Sequence, residues 1–133
     1  MPLSMRPVRV LLVDDHAMFL AALHALLDHD ERIEIVGETD NGAHALELEE
    51  RLHPDVALVD LQLPEMDGFE TTRRLHERRP GLRVVVVSGM STDGVAKRAT
   101  EAGADAFLFK GGLHDEIVDT ILEASAQTRQ TLH

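Results

Sequence analysis

The sequence predicts an α/β protein, a single doubly wound parallel sheet of five strands with helices on both faces. Three observations predict it. Five short apolar runs recur along the 133-residue chain, each nearly continuous rather than alternating, which is how strands buried on both faces read. Between consecutive runs lie longer segments with apolar residues at helical spacing. The two kinds of segment alternate strictly, and that order builds parallel sheets through helical crossovers.

The first strand is Val8–Val13, and the helix after it carries Phe19, Leu23, Leu26 and Leu27 on one face. The second strand is Ile33–Val36. Asn41-Gly42 breaks the chain before the second helix, whose face is marked by Leu48 and Leu52. Pro54 precedes the third strand, Val56–Val59, and the third helix shows Phe69, Thr72 and Leu75. Arg78, Arg79, Pro80 and Gly81 end that helix. The fourth strand is Val84–Val87. Its helix has only a thin stripe, Val95, Ala99 and Ala102, with Gly94 near its start. The fifth strand is Ala106–Phe109. The last helix has Leu113, Ile117, Ile121 and Ala124, with Asp115 and Glu116 suited to its N-terminus. Neither repeats nor interior linkers interrupt the pattern, so one domain is expected over residues 8–126, with flexible ends at 1–7 and 127–133.

Right-handed crossovers restrict the strand order, and the flavodoxin-like order 2-1-3-4-5 is expected. In such a sheet the ligand crevice lies beyond the C-terminal ends of the strands, where the order reverses between strands 1 and 3. Asp14 and Asp15 follow strand 1 directly, Asp60 follows strand 3, Ser88 follows strand 4 and Lys110 follows strand 5. Carboxylates gathered at one place repel unless a cation joins them. Oxygen donors in a partly open crevice suit a hard ion such as Mg²⁺. With Lys110 and Ser88 nearby, a phosphoryl group finds metal, ammonium and hydroxyl around its oxygens. A carboxylate can itself be the nucleophile, and Asp60, on the central strand, is the candidate for an aspartyl phosphate.

Taken singly, each residue has a plainer role: Asp14 or Asp15 as a cap of the first helix, Asp60 as a strand-end acid before the Leu63-Pro64 turn, Ser88 as a turn residue, Lys110 as a surface lysine. Their common sheet edge favours the joint reading. Lys97 and Lys110 are the only lysines among 13 basic residues, so a lysine at a strand end stands out.

Composition narrows the function classes. Against those 13 basic residues stand 24 acidic ones, a formal net charge of −11, which opposes broad contact with nucleic acid or an anionic membrane. The absence of cysteine excludes disulfides, thiolate chemistry and zinc–thiolate sites. No apolar run nears the ~20 residues of a membrane helix, and Met1–Met5 lacks a secretory pattern. A cytoplasmic location is expected. The eight histidines are scattered; His24 and His29 are out of register for a helix-face metal site, and His16 borders the crevice as an outer or surface group. The basic run Arg73–Arg79 is read as a solvated helix end.

Several ordered motifs carry a resemblance. They are Val13 to His16, Pro54 to Asp60, Leu63 to Gly68, Val87 to Gly89, and Gly103 to Lys110. Together they resemble the receiver domain of a bacterial two-component response regulator, from about Val8 to Ala126. The Asp-Asp-His opening and Val36-Gly37-Glu38 resemble the subfamily that usually carries a LuxR-type helix-turn-helix output. The resemblance implies a phosphorylation-controlled switch, not an enzyme with external substrates. Asp60 would accept the phosphoryl group from a sensor histidine kinase or a small acyl phosphate. Asp15, Asp60 and the backbone carbonyl of Gln62 would ligate Mg²⁺, with Asp14 acting through water. Ser88 and Lys110 would bind phosphoryl oxygens. Phe107 would be the switch aromatic, turning inward as Ser88 moves, and the face of strands 4–5 and helices 4–5 would be the readout. It further implies no direct nucleic-acid or membrane binding by this chain, and a homodimer on phosphorylation.

Three features depart from the family pattern. Gly111-Gly112 follows Lys110, where many receivers have a proline after a cis bond. The switch aromatic is a phenylalanine. Gln62 and Met90 occupy the positions that tune dephosphorylation. Three other readings compete. A metal-dependent phosphatase would want an acid at position 62, and a flavin module would want a Ser/Thr-rich loop after strand 1. A pseudo-receiver acting only as an interaction platform would not need the intact acid set.

Overall fold

The computed structural model describes residues 6–89, 93–112 and 114–131. Five strands, β1 (Val8–Val13), β2 (Ile33–Thr39), β3 (Val56–Asp60), β4 (Arg83–Ser88) and β5 (Ala106–Phe109), alternate with five helices. The helices are α1 (Ala17–Leu27), α2 (Gly42–Leu52), α3 (Gly68–Arg78), α4 (Asp93–Glu101) and α5 (His114–Thr131). The sheet is parallel throughout, in the order β2-β1-β3-β4-β5. This is the expected fold.

The sheet separates two apolar layers. On one side Val10, Leu12, Leu58, Val85 and Val87 pack against Leu23 and Leu27 of α1 and Ile117, Ile121 and Ala124 of α5. On the other, Leu11, Val13, Ala57, Val59, Val84 and Val86 pack against Ala45 and Leu46 of α2, Leu75 of α3 and Ala99 of α4. Consecutive residues of each strand thus serve opposite layers, which explains the uninterrupted apolar runs. Every residue of β3 is buried, so its C-terminal Asp60 is held in the centre of the sheet.

Helix α2 departs from expectation. Its buried stripe is Ala45, Leu46 and Glu49, with Leu48 and Leu52 at the border. Leu52 instead lies over Gly37 of β2, where an added Cβ would come within 2.7 Å of Leu52 Cδ1. Glu49 is tolerated inside because the Arg79 guanidinium lies 3.0 Å from its carboxylate. The N-cap of α2 is Asn41, whose side chain accepts from the His44 N–H at 2.8 Å. Arg73 and Arg74 both pair with Glu70, and Arg78 pairs with Glu50, which agrees with a solvated helix end. The α5 backbone continues to Thr131, beyond the predicted domain end at 126. Leu113, named in the helix pattern, and Met90 lie outside the described residues, as does the side chain of Asp115. Among the described residues, no helix is long and apolar enough to cross a membrane.

The loop from β3 to α3 is fixed by a close backbone approach. The Gly68 N–H donates to the Leu61 carbonyl at 3.0 Å, and a Cβ at Gly68 would meet the Asp60 carbonyl oxygen at 2.3 Å and Leu61 Cα at 2.4 Å. Only glycine lets α3 begin against the backbone that carries Asp60. Asp67 caps α3, its side chain accepting from the Glu70 N–H. Gly68→Ala is expected to destabilise the fold by about 1–3 kcal/mol, the range of an overpacked site, measured by denaturant unfolding. A change below about 0.5 kcal/mol, typical of a neutral surface substitution, would show that the loop yields freely.

Candidate functional site

Asp14, Asp15, Asp60, Ser88 and Lys110 all arrive at the C-terminal edge of the sheet because each ends or follows a parallel strand. Asp60 and Ser88 are the last residues of β3 and β4, one residue further into the sheet than the sequence pattern placed them. Asp60 pairs in register with Val87, which puts Ser88 diagonally beside it, fully buried. Asp14 and Asp60 are buried, while Asp15 is exposed. Lys110 opens a 3-10 turn over Lys110–Gly112, and among the described residues there are no cis peptide bonds. Phe107 is half-buried and packs on the α2–α3–α4 layer.

Asp14 is anchored on both oxygens. Oδ1 accepts from the His16 backbone N–H at 2.7 Å, and the Lys110 ammonium lies 3.0 Å from Oδ2. Neither Asp14 nor Asp15 is the N-cap of α1: that position is His16, which makes no side-chain cap bond. Lys110 stands 3.5 Å from Asp60 Oδ2 and 4.4 Å above the centre of the Phe19 ring, a cation–π contact from α1 that supports the ammonium. The Asp60 side chain is wholly buried, with the His16 ring 3.2 Å and the Lys110 ammonium 3.5 Å from Oδ2, yet neither carboxylate oxygen has a hydrogen bond of good geometry. Burial, and then the charge of Asp14, push its pKa up from the ordinary 3.8. Lys110, the Gln62 backbone amide and His16 act in the opposite direction.

Two side chains in this cluster were not expected there. His16, read as an outer or surface group, turns into the crevice: its Nδ1 lies 3.0 Å from Asp14 Oδ1, 3.3 Å from Asp15 Oδ1 and 3.2 Å from Asp60 Oδ2. Phe19 was read only as part of the α1 core face. Its spacing from His16, three residues on, places both at the start of one helix and was the available signal. Asp14, Asp15, His16 and Asp60 each offer one donor atom, all within 4.8 Å of one another, so the group could hold a metal ion. A buried, unsatisfied carboxylate facing two more is the environment a cation relieves. A cavity of about 570 Å³ lined by Leu26, His29, Asp30, Arg32 and Val118 opens near the start of β2, at the other end of the sheet, and takes no part in this cluster.

The raised pKa of Asp60 fixes the sign of a pH effect. Burying the ionised carboxylate costs stability only where the unfolded chain has it ionised. The cost is absent below the ordinary carboxylate pKa and grows as pH rises through the raised folded value. In metal-free buffer, Asp60→Asn should therefore raise Tm at neutral pH, with the gap to the unmodified protein narrowing as pH falls from the raised value toward about 4 and absent below it. A gap independent of pH in thermal melts would contradict this.

Residues 10–122 match the response regulator receiver domain family. Response regulator GacA of Pseudomonas aeruginosa is 35% identical over 122 residues, which cover 92% of this chain and 57% of that protein. The nitrate/nitrite response regulator protein NarL of Escherichia coli is 34% identical over 123 residues, again 92% of this chain and 57% of the relative. The chain thus spans little more than half the length of these curated relatives. Among solved structures, the signal receiver domain of the putative response regulator NarL from Mycobacterium tuberculosis superposes with a TM-score of 0.83 at 35% identity, covering 91% of this chain and 98% of that one. A LuxR-family two-component response regulator from Aurantimonas gives a TM-score of 0.86 at 27% identity, over 91% and 86% of the two chains. With this fold, this edge of acids and these relatives, the chain belongs to the response regulator receiver domains.

Proposed function

We propose that this domain is a Mg²⁺-dependent phosphoacceptor whose Asp60 takes a phosphoryl group from a sensor histidine kinase or a small acyl phosphate. The observation that carries the reading is the Asp60 carboxylate: buried, without a hydrogen bond of good geometry, and set among Asp14, Asp15 and Lys110. A structural acid would be satisfied by its neighbours. A nucleophile must keep a lone pair available.

An Asp60 oxygen attacks phosphorus. The new O–P bond forms as the P–N bond of a phosphohistidine, or the P–O bond of an acyl phosphate, breaks, and the leaving group takes the electron pair. The product is an acyl phosphate on Asp60. Lys110, held by Asp14 and the Phe19 ring, is within reach of the oxygens that become more negative, and Ser88 supplies a hydroxyl from the neighbouring strand end. Asp15 and Asp60, with the Gln62 carbonyl, would hold Mg²⁺, with Asp14 acting through water, and the ion would supply positive charge against the gathered acids and the phosphoryl oxygens.

Phosphorylation then biases two conformations of one fold. Ser88 drawn toward the phosphoryl group leaves room for Phe107, now half-buried on the α4 layer, to turn further in. Phenylalanine has no hydroxyl, so packing alone distinguishes its two positions. The face of β4, β5, α4 and α5 changes with it and controls a partner, transcription being the output through a DNA-binding segment of the kind the subfamily carries. Phosphorylation-linked homodimerisation and a cytoplasmic setting complete the proposal. The chain itself turns over no external substrate.

Incubation with acetyl phosphate and Mg²⁺, followed by intact mass, is expected to give one labile phosphoryl adduct that is absent in Asp60→Asn and suppressed by EDTA. Absence of any adduct with every phosphodonor would leave a phosphorylation-independent platform as the better reading.

A further inference from the structure

We propose that His16 is a nitrogen ligand of the crevice cation, which makes this site selective for borderline divalent ions such as Ni²⁺ over Mg²⁺. The inference rests on the cation-dependent reading of the crevice given above and names a ligand that reading does not include.

Two observations carry it. The first is geometric. Bonds of about 2.1 Å to an octahedral ion put adjacent donors ~3.0 Å apart. The Nδ1 distances to Asp14 Oδ1, Asp15 Oδ1 and Asp60 Oδ2 are 3.0, 3.3 and 3.2 Å. The imidazole nitrogen therefore already stands as a neighbour to all three carboxylates at close to the edge length of one coordination sphere. The buried Asp60, with both oxygens lacking hydrogen-bond partners, faces the same point.

The second is a conflict of hydrogen-bonding roles. Carboxylate oxygens can only accept, so three of them around Nδ1 call for a proton there. The Lys110 ammonium can only donate, and it lies 3.1 Å from the same Nδ1, which calls for a lone pair there. One ring nitrogen cannot do both. A cation among the donors resolves the conflict, because it takes the Nδ1 lone pair together with Asp15 and Asp60, and Asp14 through water. The half-exposed ring leaves the opposite side of the ion open to water or a phosphoryl oxygen. Imidazole suits the later first-row ions such as Ni²⁺ far better than Mg²⁺ or Mn²⁺, which prefer oxygen. An Asp-Asp-His sequence thus turns a hard-ion site into a mixed one without loss of its carboxylates.

The test is pulsed electron paramagnetic resonance on the intact chain with one equivalent of Mn²⁺. Nitrogen modulation from a directly bound imidazole is expected. It should change to the nitrogen-15 pattern when histidine is labelled and disappear in His16→Asn. Calorimetric titrations should show His16→Asn lowering Ni²⁺ affinity about tenfold or more while changing Mg²⁺ affinity much less. Circular dichroism checks that the variant is folded, and the labelled unmodified protein carries the test without any variant. Mn²⁺ bound without nitrogen modulation would overturn the role of His16 and leave the phosphoacceptor reading standing. A rise in affinity for both Ni²⁺ and Mg²⁺ in His16→Asn would also overturn it, because the ring would then be a competitor for the ion's place. Failure of both Mn²⁺ and Mg²⁺ to bind would sink the inference together with the reading beneath it.

Discussion

The concentration of negative charge at one sheet edge is the constraint on which the rest of this molecule depends. Asp60 ends the central strand and is buried. Asp14 is buried beside it, and Asp15 is next in the chain. Two like charges about 4 Å apart repel by roughly 4 kcal/mol at the effective dielectric near a protein surface. One ammonium, Lys110, serves Asp14 at 3.0 Å and Asp60 at 3.5 Å and cannot offset the whole set. The fold therefore holds a site that is electrostatically incomplete by itself, and in the proposed function a cation and a phosphoryl group complete it and so couple chemistry to conformation.

Keeping such a site requires rigid support, and the sheet supplies it. Both faces of β3 are covered by apolar layers, so Asp60 cannot swing toward solvent to relieve its charge. Gly68 brings α3 against the Asp60 carbonyl and locks the loop that follows. Phe19 on α1 fixes Lys110 from the far side. The support is not uniform, however. α4 offers the thinnest apolar contribution, with Ala99 buried and Val95 half-buried, and it lies beside Phe107.

Much of this was legible in the chain because it follows from short-range rules. Continuous valine-rich runs mark doubly covered strands, and strand ends mark the crevice, so Asp14, Asp15, Asp60, Ser88 and Lys110 were found together. The unread parts depend on tertiary choices. The buried stripe of α2 runs through Ala45, Leu46 and Glu49 because Arg79 neutralises Glu49 and Gly37 makes room for Leu52, and neither fact is visible in hydrophobic periodicity. His16 could have faced water. Only the packing of α1 on the β2 side of the sheet, across the crevice from the residues that follow β5, decides that its ring turns toward the carboxylates and that Phe19 meets Lys110.

In the proposed mechanism an unsatisfied carboxylate cluster binds a cation, accepts a phosphoryl group on Asp60 and transmits the change through Ser88 and Phe107. Nitrogen-15 correlation spectra recorded with beryllofluoride, an unreactive phosphoryl mimic, test that link most directly. With Mg²⁺ present, resonances of Asp15, Asp60, Ser88 and Lys110 should shift together with those of Phe107 and α4, and none should shift when Mg²⁺ is withheld. Shifts confined to the crevice, or equal shifts without the cation, would contradict it.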